Sequence, residues 1–203
     1  MKLYDGGRAP NPRRVRMFLH EKGIEVPLVP VDMAARQHIS DEMRARNLLG
    51  ELPVLELDDG TIITETIAIC RYFEALNPSP ALFGKKPLEI ATIEMWQRRV
   101  ELKLLAAVGA VFRHTHPAMA NSEVPQVVVW GEANRPKALA AMQMLNGQLA
   151  GHEFICGATI SVADITAMIA LDFTKPAKIA VPEDLIELHR WYAAMKARPS
   201  ALA

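Results

Sequence analysis

Glu51-Leu52-Pro53-Val54-Leu55-Glu56-Leu57-Asp58-Asp59-Gly60-Thr61-Ile62-Ile63-Thr64-Glu65-Thr66 is the stretch on which the fold turns. Two β-rich runs, Val54 to Leu57 and Thr61 to Thr64, flank Asp58-Asp59-Gly60, and an Asp-Gly pair supplies the positive φ that a tight turn demands. The spacing predicts a β-hairpin, followed by a helix from Glu65 to about Leu76. Upstream lies a polar segment, residues 33 to 48, with a weak helical signal. Before it, Val26 to Val31 reads as a strand at a sheet edge, because Pro27 and Pro30 remove ladder donors. Lys2 to Tyr4 reads as another strand, and Asp5 to Pro10 as a loop. Asn11 is a favoured N-cap and Pro12 suits a first helical position, so a helix is expected to open there, carry Val15, Phe18 and Leu19 inward, and stop at Gly23. The order βαβ, hairpin, α follows, with the first two strands parallel through a right-handed crossover.

That order is the one of a thioredoxin-like domain, expected over residues 1–77. Residues 78–87 form a proline-punctuated linker. Beyond it, apolar residues recur at three- and four-residue spacing over 88–115, 126–150, 162–173 and 184–197 without strand alternation, which predicts an all-helical domain over 88–203. Ser161-Val162-Ala163-Asp164 before an apolar run is a capping-box pattern.

Composition narrows the function. Lys plus Arg (23) and Asp plus Glu (23) cancel, and half the 203 residues are apolar, so the chain is a folded globular protein without the basic footprint of a nucleic-acid binder. No run approaches a membrane span, and the first residues lead into a polar turn rather than a signal peptide. Two distant cysteines, Cys70 and Cys156, form neither a disulfide framework nor a metal cluster. A cytoplasmic protein with no metal, no nucleic-acid partner and no membrane partner is the expectation.

Leu52-Pro53 before a strand, Glu65-Thr66 opening the helix after the hairpin, and Ser161 to Asp164 together resemble the cytosolic glutathione S-transferase family, over essentially the whole chain. Ala9-Pro10-Asn11-Pro12-Arg13-Arg14-Val15-Arg16 resembles the first helix of bacterial members, of nu-like or serine-type kind. The resemblance implies a cis bond before Pro53, with the Leu52 backbone offering a strand edge to the cysteinyl unit of glutathione. It implies that Thr66 takes the γ-glutamyl carboxylate at a helix start, that Glu65 takes the α-ammonium, and that His38 takes the glycine carboxylate. Thr64 or Glu65 also suits plain helix capping. Glu51 stands where many relatives carry Gln, and an ionised carboxylate cannot donate.

The nucleophile of such an enzyme is a thiolate, so something must favour the ionised sulfur. Serine-type members carry the activating hydroxyl where this chain has Ala9. Asn11, with an amide N–H to donate, is the catalytic candidate as well as the expected cap, and Tyr4 is a second hydroxyl nearby. Arg99, Phe112, Arg113 and His116, with Trp96, are expected to line an electrophile pocket. Arg113 to Pro117 does not space its histidines for a metal. The resemblance implies conjugation of glutathione to electrophiles, or peroxide or disulfide reduction, in a homodimer. A non-catalytic glutathione-binding or regulatory protein is the alternative, which Ala9 favours.

Overall fold

Pro10 decides where the first helix begins. Its ring fixes a helical φ and biases the preceding residue to extended backbone, so α1 spans Pro10–Lys22 with Ala9 as the extended N-cap (φ −63°, ψ 142°). Asn11 is therefore inside the first turn and makes no capping bond, which corrects the expectation that it caps the helix. The computed structural model describes residues 1–203. They divide into two compact units, Met1–Ala81 with Pro199–Ala203, and Leu82–Arg198.

The first unit is built on a four-stranded sheet of order β2-β1-β3-β4, from β1 (Lys2–Asp5), β2 (Leu28–Pro30), β3 (Val54–Glu56) and β4 (Ile62–Ile63). β1 and β2 are parallel, with Leu3 opposite Leu28, and the proline-bearing β2 sits at the edge. β3 runs antiparallel to both β1 and β4, closing the expected hairpin through Gly60 at φ 84°, a value only glycine adopts without strain. A 3-10 turn (Gln37–Ile39) and the short α2 (Asp41–Arg46) occupy the polar segment, and α3 (Thr66–Leu76) follows the hairpin. Leu3, Val15, Met17, Phe18, Leu55, Ile69, Cys70 and Phe73 form the buried interior of this unit.

The second unit is all helical. Residues 87–115 run as α4 (Pro87–Arg99), a π-helical stretch (Val100–Leu105) and α5 (Ala106–Thr115), followed by α6 (Val128–Leu149), α7 (Val162–Thr174) and α8 (Ile186–Lys196). α7 is buried along nearly its whole length, Val162 to Leu171, as an all-round apolar helix must be. Asp164 anchors it by accepting the Ser161 N–H (2.9 Å), the Ser161 hydroxyl (2.8 Å), the Ile155 N–H (2.9 Å) and the Trp191 Nε1–H (2.9 Å).

Candidate functional site

An α-helix starts with four N–H groups that have no intrahelical partner, and α1 has almost none of them left. Pro10 and Pro12 carry no N–H, the Ala9 N–H reaches the Gly6 carbonyl (3.4 Å), and Arg13 already bonds back to Ala9 (3.2 Å). The Asn11 N–H is the one orphan donor. Its side chain is exposed and engages no other residue, so backbone and amide donors both stand open beside Ala9. Tyr4 is different: its hydroxyl donates to Glu56 Oε2 at 2.8 Å inside a packed cluster, which removes it as an activating hydroxyl.

The loop before α1 lies against the second candidate element. A Cβ built on Gly6 falls 3.2 Å from Leu52 Cδ1 and 3.4 Å from Pro12 Cγ, so the loop following β1 packs on Leu52. The Leu52–Pro53 bond is cis. The Leu52 N–H and C=O enter no turn, loop or cap hydrogen bond, leaving a peptide edge beside the start of β3.

At the start of α3 the capping expectation fails. Neither Glu65 nor a neighbouring side chain caps the helix, and Glu65, as N-cap, holds φ 67° and ψ 122°, a conformation strained for any residue but glycine. Thr66 is buried, and its hydroxyl accepts a hydrogen bond from the Nη2 of Arg14, itself only 3% exposed. A helix end without side-chain caps, an exposed carboxylate beside it and a buried guanidinium beneath it suit a ligand carrying both an anion and a cation. Sequence alone marks Arg14 only as an arginine one turn from the apolar stripe of α1, because its partner is 52 residues away.

His38 lies in the 3-10 turn, half-buried, and its Nδ1 is enclosed without a partner. Burial, and then the charge of Arg36, lower its pKa from the usual imidazole value. Glu51 is exposed, and its carbonyl accepts from Asn47 Nδ2 at 2.8 Å.

In the second unit Phe112 and His116 stack at 4.7 Å, and Phe112 meets Phe173 at 5.0 Å. Arg113, on the exposed side, faces Glu123 at 3.6 Å, and Arg99 lies 4.8 Å over the Trp96 ring. The structure thus joins Phe112 and His116 in one aromatic cluster while Arg99 and Arg113 engage other partners. A separate cavity of about 340 Å³ opens among α7, α8 and the segment between them, lined by Leu171, Lys175, Val181, Leu188, His189 and Tyr192, with none of the four expected pocket residues. Cys70 is fully buried, and burial pushes the Cys156 thiol up to about 12. No three His, Cys, Asp or Glu side chains converge as a metal site would require, and no helix is long and apolar enough to cross a membrane.

Comparison with known proteins gives two family matches, "Glutathione S-transferase, N-terminal domain" over residues 9–76 and "Glutathione S-transferase, C-terminal domain" over residues 126–199. Glutathione S-transferase 2 of Saccharomyces cerevisiae is 40% identical, over 98% of this chain and 87% of that protein. A glutathione S-transferase domain-containing protein of Marinobacter aquaeolei superposes with a TM-score of 0.95 at 42% identity, covering 98% of this chain and 99% of the other. The Saccharomyces cerevisiae Gtt2 structure also gives 0.95, at 40% identity, with 100% and 99% covered.

Proposed function

Because the chain belongs to the glutathione S-transferase family, we propose that it binds glutathione in its first unit and transfers the sulfur to small electrophiles. In conjugation the thiolate forms an S–C bond and the leaving group departs with its electron pair. Addition to an activated double bond instead ends with a proton taken from solvent. Peroxide or disulfide reduction by the same thiolate is the related chemistry.

The γ-glutamyl end lies at the start of α3, its carboxylate on the Thr66 N–H and hydroxyl above Arg14, and its ammonium on Glu65. The cysteinyl unit pairs with the Leu52 backbone, and the glycine carboxylate takes a ring N–H from His38. Asn11 then offers the sulfur its backbone and side-chain N–H groups. Favouring ionisation by two pKa units takes about 2.7 kcal/mol, within reach of two hydrogen bonds to a charged atom. The observation that carries this reading is Glu65, held at positive φ beside an uncapped helix end, since strain of that kind is kept where it serves a ligand.

The stacked Phe112 and His116 are the residues of the helical unit assigned to the electrophile in this reading, with Arg99 and Arg113 held by Trp96 and Glu123, and the active species is a cytoplasmic homodimer. The test is calorimetric titration with glutathione, followed by chlorodinitrobenzene and hydroperoxide assays. Tight binding with turnover supports the enzyme, and an absence of glutathione binding sinks it. Ala9 and the engaged Tyr4 hydroxyl leave the sulfur without a hydroxyl donor, which favours a second reading, a non-catalytic glutathione binder. Binding without any turnover supports that one.

A further inference from the structure

The segment that carries His38 and leads into Leu52 is held to the sheet by few groups. α2 has six residues, too few to be stable as an isolated helix, and buries only Met43, which packs with Tyr4, Val31, Leu52 and Val54. Its other attachment is Arg46, in the last turn. The Arg46 Nε donates to Glu56 Oε2 at 3.0 Å, and its guanidinium lies 4.8 Å over the Tyr4 ring. Tyr4 donates its hydroxyl to the same carboxylate oxygen, and Lys2 Nζ reaches Oε1 at 3.1 Å.

What Arg46 holds, the neighbouring contacts pass on. Asn47 is buried, donates to the Glu51 carbonyl and accepts the Leu49 N–H at 3.2 Å, and so shapes the turn that delivers Leu52. On the other side, Arg44 Nε donates to the Ile39 carbonyl at 3.1 Å. Gly50 (φ 64°) presses on Ile39 so closely that a Cβ there would fall 2.8 Å from Ile39 Cγ2. The turn bearing His38, the helix α2 and the approach to Leu52 therefore form one body, fixed to the sheet by Met43 and by the Tyr4–Glu56–Arg46 constellation.

We propose that Tyr4, Glu56 and Arg46 form a latch that sets the affinity for glutathione by holding residues 37–52 in the binding geometry. The proposal rests on the reading that glutathione lies along Leu52 and His38. The three are positioning residues. Arg46 and Glu56 are about one-fifth exposed, and a pair of that kind adds little to global stability. Its effect is local: a segment with few buried contacts opens at low free energy, and apparent affinity falls in proportion to the competent fraction. The sulfur chemistry at Asn11 is untouched once glutathione is bound.

The experiment compares Arg46→Ala, Glu56→Gln and Arg46→Lys in the full chain, by calorimetry with glutathione, by turnover, and by amide hydrogen exchange without ligand. For Arg46→Ala and Glu56→Gln we expect a Kd and KM for glutathione raised about tenfold, kcat at saturation within about twofold, and faster exchange confined to residues 37–52. Arg46→Lys keeps the charge but not the planar fork and should recover part of the affinity. Unchanged exchange in Arg46→Ala overturns the latch, as does faster exchange with unchanged Kd. Failure of the unmodified protein to bind glutathione overturns the site reading instead, and the exchange measurement still judges the latch by itself.

Discussion

At the residue scale the sharpest question is whether Asn11 activates the sulfur. Since Asn11 is exposed in the first turn and caps nothing, Asn11→Ala should change stability by less than about 0.5 kcal/mol while raising the pKa of bound thiol and lowering turnover more than affinity. Asn11→Asp should stabilise the helix by about 0.3 to 1 kcal/mol through its dipole, yet raise the thiol pKa further by repelling the anion. Thiolate absorbance against pH, with thermal melts, separates the two; a thiolate pKa that stays put in both variants removes Asn11 from the mechanism. The sequence pointed to Asn11 for a partly mistaken reason. Asn before Pro looks like a cap, but Pro10 one residue earlier takes the first helical position, and only the backbone accounting shows Asn11 to be the lone open donor. His38 offers a second test. Its pKa is lowered in the free protein by burial and by Arg36, so a bound carboxylate beside it must raise that value. Glutathione binding then takes up protons, and affinity should increase as pH falls through and below the ordinary imidazole value of about 6.5, more weakly in His38→Asn. Equal pH slopes in both proteins would remove His38 from the carboxylate.

At the element scale the start of α3 separates stability from function. Glu65 at φ 67° bears strain that glycine does not, so Glu65→Gly should raise stability by about 1 kcal/mol while weakening glutathione binding through loss of the carboxylate. Glu65→Ala should lose the affinity without the gain, and Thr66→Ala should weaken binding by removing the hydroxyl that Arg14 holds. Melting temperature and calorimetric Kd read both effects; if Glu65→Gly binds as tightly as the parent, the carboxylate is not a ligand. The latch has its own acid signature. Hydrogen bonds from Arg46 and Tyr4, then Lys2, lower the Glu56 pKa to about 2. The stabilisation it brings is complete above the unfolded glutamate value near 4.3 and is lost as pH falls toward 2. Glu56→Gln should flatten that loss, read as amide-exchange protection over residues 37–52, while the global acid unfolding curve changes little. The hairpin, the edge strand and the helices were legible because each is written in local chemistry: Asp59-Gly60, Pro27 and Pro30, and apolar spacing. The pairing of Arg14 with Thr66 was not, since it joins residues 52 apart in the chain, and the positive φ of Glu65 was not, since no residue type that favours such a φ marks the position.

Every residue proposed to hold glutathione belongs to the first unit, so the helical unit must justify its own stability, and Asp164 is where that is concentrated. The capping-box pattern is readable at Ser161 and Asp164, but nothing local marks the bonds that the same carboxylate takes from Ile155 and Trp191, which tie the preceding loop, the start of α7 and α8 to one buried group. Burial pushes the Asp164 pKa up, and the four donated hydrogen bonds oppose that by favouring the anion. Asp164→Ala would leave the Ile155 and Ser161 N–H groups and the Trp191 Nε1–H buried without acceptors, each at a cost of about 1 to 3 kcal/mol. The sum is at least about 3 kcal/mol, against a total stability of about 5 to 15 kcal/mol for a protein of this kind. At roughly 2 to 4 °C per kcal/mol for a chain of this length, the melting temperature should fall by about 6 °C or more. Ser161→Ala removes one hydroxyl and leaves the Ser161 backbone N–H on Asp164, so its cost should stay near about 1 kcal/mol. Circular dichroism melts of the two variants decide the matter: similar small shifts would mean that Asp164 is an ordinary cap rather than the polar centre of the helical unit.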